Sequence, residues 1–182
     1  MILTLDPGLR ASGLALFKDS RLVEAELVTR TSSGKLAHRA HDCADTALRC
    51  HRAAQDMLRK HGGAGCLDRV VLEWPQIYQR GGTRTKGDPN DLLPLAGICS
   101  AFKVLLGDDV ESLALHPAEW KGQLDGDVML TRITGRLDDA ERRLVPGGAL
   151  AHNVIDAIGI GLHHLGRLQR TRAYRAGGSN LG

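Results

Sequence analysis

The apolar positions follow two rhythms along the chain. Ile2–Asp6 is a short apolar run closed by D-P-G, and Ser12–Phe17 is a second, with glycine and small polar residues between them. Runs of this length bounded by turn residues predict two strands. After the turn Lys18-Asp19-Ser20, Arg21–Thr29 alternates unevenly, Leu22, Glu24, Glu26 and Val28 against Val23, Ala25 and Leu27, as an antiparallel strand near a sheet edge does. Beyond TSSGK the spacing lengthens: Leu36, Ala40, Cys43, Ala47, Ala54 and Leu58 recur at helical intervals until HGGAG stops them. Arg69–Glu73 is a buried-type strand closed by W-P.

A polar, Gly-rich loop, RGGTRTKGDPN, then leads to a second helix on Leu92, Leu95, Ile98, Phe102 and Leu105, with Pro94 acceptable only near its first turn. Val110–Leu115 is a fifth strand, and HPAEWKGQL an irregular turn or single helical turn. Met129–Leu137 predicts a short helix, and Ala151–Leu168 a long one on Val154, Ile155, Ile158, Leu162 and Leu165. The order β-β-β-α-β-α-β-α predicts an α/β fold with a mixed five-stranded sheet flanked by helices. No repeat or linker divides the chain, so residues 1–172 are expected to form one domain, with 173–182 a flexible, basic, Gly-rich tail.

Composition narrows the class. The chain has 182 residues, 42% hydrophobic and 25% charged, which is globular, and no apolar stretch is long enough to span a membrane. The start MILTLDPG lacks a basic leader region, so a cytoplasmic location is expected. Cys43, Cys50, Cys66 and Cys99 form no CxxC pair, and no zinc or disulfide chemistry is assigned to them. The formal net charge is only +3, but most of the 24 basic residues are arginine, whose fork pairs with phosphate. Two acid-free stretches stand out: Arg80, Arg84 and Lys86 between Glu73 and Asp88, and Arg167, Arg170, Arg172 and Arg175 after Asp156. Aromatic residues are 3% of the chain, which disfavours stacking on unpaired bases and suits contact with a duplex backbone.

Three acids sit where acids are costly. Asp6 and Glu73 each end an apolar strand, where a side chain emerges into the crevice that α/β folds use for ligands. Asp156 lies in the apolar helix NVIDAIGIGL, where an uncompensated carboxylate is expensive to bury. A bound cation would resolve that cost. Hard oxygen ligands suit magnesium, with manganese as a substitute, and two such ions can activate water and stabilise the leaving oxygen of a phosphodiester. His152 and Asn153 precede Asp156 by four and three residues and would share its helix face. Either could complete the site, and the histidine is the better candidate as ligand or proton shuttle.

These segments also resemble a known family. LDPGLRASGLALF resembles the opening of RuvC-type Holliday junction resolvases, and VVLEWPQIY is similar to the strand bearing their catalytic glutamate. HPAEWKGQL resembles their proline-to-lysine segment, and HNVIDAIGIGLHHL their last helix with its terminal aspartate. The four matches come in the right order and span most of the chain; the W-K-G and H-N-V-I-D wording is most like resolvases of phages and prophages. The resemblance implies an RNase H-like fold, with Asp6, Glu73 and Asp156 as metal ligands and Lys121 contacting DNA or stabilising charge. Two departures stand beside it. Asn153 occupies the position where the family commonly has an acid or a histidine, and DGDVM replaces the basic residues that typically follow the proline-lysine segment.

The expected activity is that of a crossover junction endodeoxyribonuclease, using two magnesium ions to nick branched DNA and acting as a homodimer, with no nucleotide cofactor and no membrane partner. Asp6, Glu73, Asp156, His152 and Lys121 are its expected catalytic residues, the first four of them metal ligands. Arg10, Arg80, Arg84, Lys86, Lys121, Arg167 and Arg170 are the expected DNA contacts. Rival readings are a nuclease of this fold for forks, flaps or structured RNA, an actin-like ATPase, for which 182 residues without a repeat leave no room, and a non-catalytic nucleic-acid-binding module.

Overall fold

The computed structural model describes residues 1–31, 39–76, 89–122, 124, 126–148 and 150–168. Five strands, β1 (Ile2–Asp6), β2 (Ala11–Lys18), β3 (Arg21–Thr29), β4 (Arg69–Glu73) and β5 (Glu111–Leu115), form one sheet in the order β3-β2-β1-β4-β5. β1–β2 and β2–β3 are antiparallel, while β1–β4 and β4–β5 are parallel. The mixed five-stranded sheet expected from the pattern is present, and β3 lies at its edge as the uneven alternation suggested.

Alternation along each strand divides the core into two layers. Leu3, Leu5, Leu14, Leu16, Val70 and Leu72 face one side, where α1 (Arg39–His61) and α2 (Pro89–Leu106) cover them with Ala47, Cys50, Met57, Ile98 and Phe102. The intervening residues Ala15, Phe17 and Val71 face the other side and meet α6 (Ala151–His164) through Val154, Ile155, Ile158 and Leu162. Three short helices lie near α6: α3 (Pro117–Trp120), α4 (Gly126–Thr134) and α5 (Asp139–Arg142). Among the described residues no helix is long and apolar enough to cross a membrane.

Several boundaries differ from the expected ones for identifiable reasons. Pro94 lies in the second turn of α2, not the first, and is buried there. α4 begins at Gly126, three residues before Met129, and Leu137 is buried in the turn after it. α6 stops at His164 because Gly166 takes a left-handed backbone (φ 71) and lets Arg167 N–H bond back to the Leu162 carbonyl. α5, absent from the expected order, is capped at both ends of an Asp138–Glu141 box.

Glycine decides how closely α6 approaches the sheet. A Cβ on Gly13 would lie 2.0 Å from the Asn153 carbonyl oxygen and 2.7 Å from Val154 N, both backbone atoms of the first turn of α6. No rotamer can relieve that clash. Gly13→Ala is therefore expected to push the helix start off β2 and to destabilise the chain by roughly 2–3 kcal/mol, with urea unfolding as the measurement. A loss under 0.5 kcal/mol, the usual range for a surface change, would show that the approach is not tight.

Candidate active site

Asp6 and Glu73 are the last residues of neighbouring parallel strands, and the register Leu5↔Leu72 sets them side by side. Their backbones are thus about 4.8 Å apart. Asp6 shares the sheet face of Thr4, and Glu73 that of Val71, so both carboxylates lie on the face covered by α6. The Thr4 hydroxyl donates to the Ala157 carbonyl at 2.7 Å, which fixes α6 to β1 one residue from Asp156 and two from Asp6. Asp156, half-buried, completes a group of three acids drawn from two strand ends and a helix.

A tryptophan–lysine pair organises this group. Trp120 is buried, and its Nε1–H donates to Glu73 Oε2 at 2.8 Å. It also packs on Gly159, where a Cβ would come within 2.5 Å of the indole. The Lys121 ammonium donates to Asp156 Oδ2 at 2.9 Å, stands 3.9 Å from Glu73 Oε2, and lies 4.9 Å from the centroid of the Trp120 ring.

The electrostatics are those of a crowded anionic pocket. Burial, then the nearby charges of Glu73 and Asp156, hold the Asp6 carboxyl well above the usual range, and Lys121 offsets this only in part. Burial also raises Glu73, against the pull of Lys121 and the Trp120 hydrogen bond. Burial disfavours the Lys121 ammonium, yet Glu73, Asp156 and Asp6 together keep its pKa above the ordinary lysine value. Among the described residues no donor bonds to the Asp6 carboxylate. In this arrangement no three His, Cys, Asp or Glu side chains among the described residues are gathered as ligands of one ion; the counter-charge is the Lys121 ammonium.

No protein-family model and no curated protein matches the chain. Solved structures do. RuvC of Thermus thermophilus in complex with a Holliday junction substrate aligns at a TM-score of 0.56 and 20% identity, over 90% of each chain. Another T. thermophilus RuvC structure gives 0.53 and 19%, covering 90% of this chain and 92% of that one. The fold is that of RuvC.

On this RuvC fold the structure brings together Asp6, Glu73, Asp156 and Lys121, and it places the remaining candidates elsewhere. His152 is in the first turn of α6 but is exposed and bonds to none of the three acids. Asn153 is half-buried against β2, and Leu150, not Asn153, is the N-cap. Arg10 is exposed just beyond the end of β1. The Arg167 guanidinium is fully engaged within the chain, with bonds to both Glu141 oxygens at 2.7 Å and to the carbonyls of Ser20 and Arg136. Arg80, Arg84, Lys86, Arg170 and the tail 173–182 lie outside the described residues. The hold of Trp120 on Glu73 was not anticipated; its only sequence signal was the neighbouring lysine.

Proposed function

We propose that the chain is a divalent-metal-dependent endonuclease that hydrolyses phosphodiester bonds in branched DNA, four-way junctions first. The observation that carries this reading is the meeting of Asp6, Glu73 and Asp156 at one end of the sheet, in a fold shared with a RuvC solved on a Holliday junction substrate. The donor set fits a hard cation: three carboxylates crowd together, and the buried Asp6 accepts no hydrogen bond among the described residues. Asp6, Glu73 and Asp156 would hold Mg2+ or Mn2+, which supplies Lewis-acid activation of water and charge stabilisation at the leaving oxygen.

The chain's own side chains prepare the rest. Trp120 fixes the orientation of Glu73 through its indole N–H, so the carboxylate does not have to be ordered when substrate arrives. Lys121 brings a positive charge to the opening beside Glu73 and Asp156, where it can pair with a phosphate oxygen. Arg10 lies at the same end of the sheet and suits contact with the flanking strand.

Wild type should place paired nicks in a labelled four-way junction with Mg2+ or Mn2+, and cut fork, flap, linear duplex and single strand more slowly. Chelation or Asp6→Asn should abolish the nicks. Binding without cleavage under every metal condition would replace this reading with a non-catalytic module of the same fold.

Symmetric cutting requires two sites, hence a two-fold dimer. Leu93, Gly97, Ser100 and Val104 form an exposed stripe along α2, with Leu93 69% and Val104 77% accessible, and this stripe suits close approach of a second copy. Val104→Glu is expected to give monomers in sedimentation and to reduce paired nicks to single ones; a variant that stays dimeric would place the interface elsewhere.

A further inference from the structure

A cavity of about 500 Å³ opens beside the carboxylates, between the end of β3, the residue before β2 and the outer side of α1, with Leu150 at the entry to α6 on its rim. Three guanidinium groups line it, those of Arg10, Arg30 and Arg49, together with Thr29, Thr31 and one carboxylate, Asp45.

The cavity is built around Arg30, whose side chain is only 8% exposed. Arg30 Nη2 donates to Asp42 Oδ1 at 2.5 Å, and its Nε to Asp45 Oδ2 at 3.0 Å. The same Asp45 oxygen accepts from Arg49 Nε at 2.9 Å. Arg30 N–H also bonds to the Arg10 carbonyl at 2.9 Å, which ties the two arginine-bearing segments together. Three guanidinium groups thus stand against two carboxylates, leaving one net positive charge. Among the described residues the Arg49 Nη groups have no acceptor, and Arg10 has no ion pair. The buried Nη1 of Arg30 has no acceptor there either. The result is a fixed cationic floor, two exposed arginine arms and two threonine hydroxyls, which matches a singly charged phosphodiester.

Its place relative to the acids is set by the sheet. Asp6 pairs with Gly13 on β2, and Thr29 pairs with Ala11, so Thr29 lies two strands across and two residues along from Asp6. At ordinary strand spacing and rise this is about 12 Å.

We infer that this cavity seats a backbone phosphate of the DNA strand that runs past Asp6, Glu73 and Asp156, with Arg10 and Arg49 as its clamps. The inference rests on the proposed DNA-cleaving role of the carboxylates. Binding of a labelled four-way junction in a salt series separates the two. For Arg10→Ala and Arg49→Ala, each dissociation constant should rise about 3–10-fold, equally for junctions of different sequence, and the slope of log K against log salt should fall by about 1 per arginine removed. Arg10→Lys should retain the slope and lose part of the affinity. Circular dichroism and urea unfolding serve as fold controls, because the Arg49–Asp45 pair is half-exposed and contributes little stability. If wild type binds and cuts but the double variant keeps its affinity and slope, the phosphate seat is overturned and the carboxylate reading stands. If wild type binds no branched DNA, both fall together.

Discussion

Asp6→Asn is expected to remove nuclease activity by roughly 10³-fold and, in EDTA, to raise the unfolding temperature. The carboxyl of Asp6 is buried, and Glu73 and Asp156 add to the burial in holding its pKa above the ordinary value. A carboxyl shifted upward favours folding below its unfolded pKa and loses that contribution as pH rises through the folded one. At neutral pH and without metal, the ionised group therefore works against the fold. Asparagine keeps the shape and removes the charge, a gain of about 1–2 kcal/mol, or roughly 3–8 °C for a chain of this length. Magnesium should then stabilise wild type more than the variant, since only wild type retains all three acids. Melting curves with EDTA and with Mg2+ decide the matter: a variant that melts below wild type in EDTA would show that the charge at position 6 is no burden.

Glu141→Gln is expected to cost about 3 kcal/mol at neutral pH, the largest stability loss foreseen for a single polar change in this chain. Glu141 is 2% exposed, and its carboxylate accepts four bonds: from Leu22 N, from Asp138 N, and from both Arg167 Nη groups. Burial alone would raise its pKa, but the Arg167 pair and the backbone donors outweigh it and hold the group down to about 2. For a carboxyl lowered in this way, the stabilisation is present above the unfolded value of 4.5 and is lost as pH falls toward about 2. Urea unfolding of wild type should weaken across that window, and Glu141→Gln should be the flatter of the two. Parallel curves would mean that another carboxylate governs acid stability.

The strands and the three acids were legible because each is a local event. β1, β3 and β4 carry the bounds read from the pattern, since D-P-G, Lys18-Asp19-Ser20 and W-P punctuate them. Asp6 and Glu73 show themselves by interrupting apolar runs, and Asp156 by standing among apolar helix residues. What depends on distant partners was not legible. Trp120 meets Glu73 across 47 positions, and Arg167 meets Glu141 across 26, so neither bond leaves a trace in spacing. Arg167 appeared as a free cation in an acid-free tail segment, while folding commits it to an internal carboxylate. His152 illustrates a different limit: helical periodicity places it over Asp156, but a helix face is broad, and the side chain points to solvent. α5 had a local signal in Asp138 and Glu141, yet four residues are too few to show an apolar period.

The contact at Gly13 bears on how the site meets its substrate. Because α6 rests there on main chain rather than on side chains, the gap between Asp6 and the helix bearing Asp156 has a hard stop that no rotamer change can adjust. That wall of the pocket is preorganised, its ordering cost met during folding. Adaptation to differently shaped branch points must then come from the opposite rim, where Lys121 and the exposed arginines sit on longer and more mobile stems.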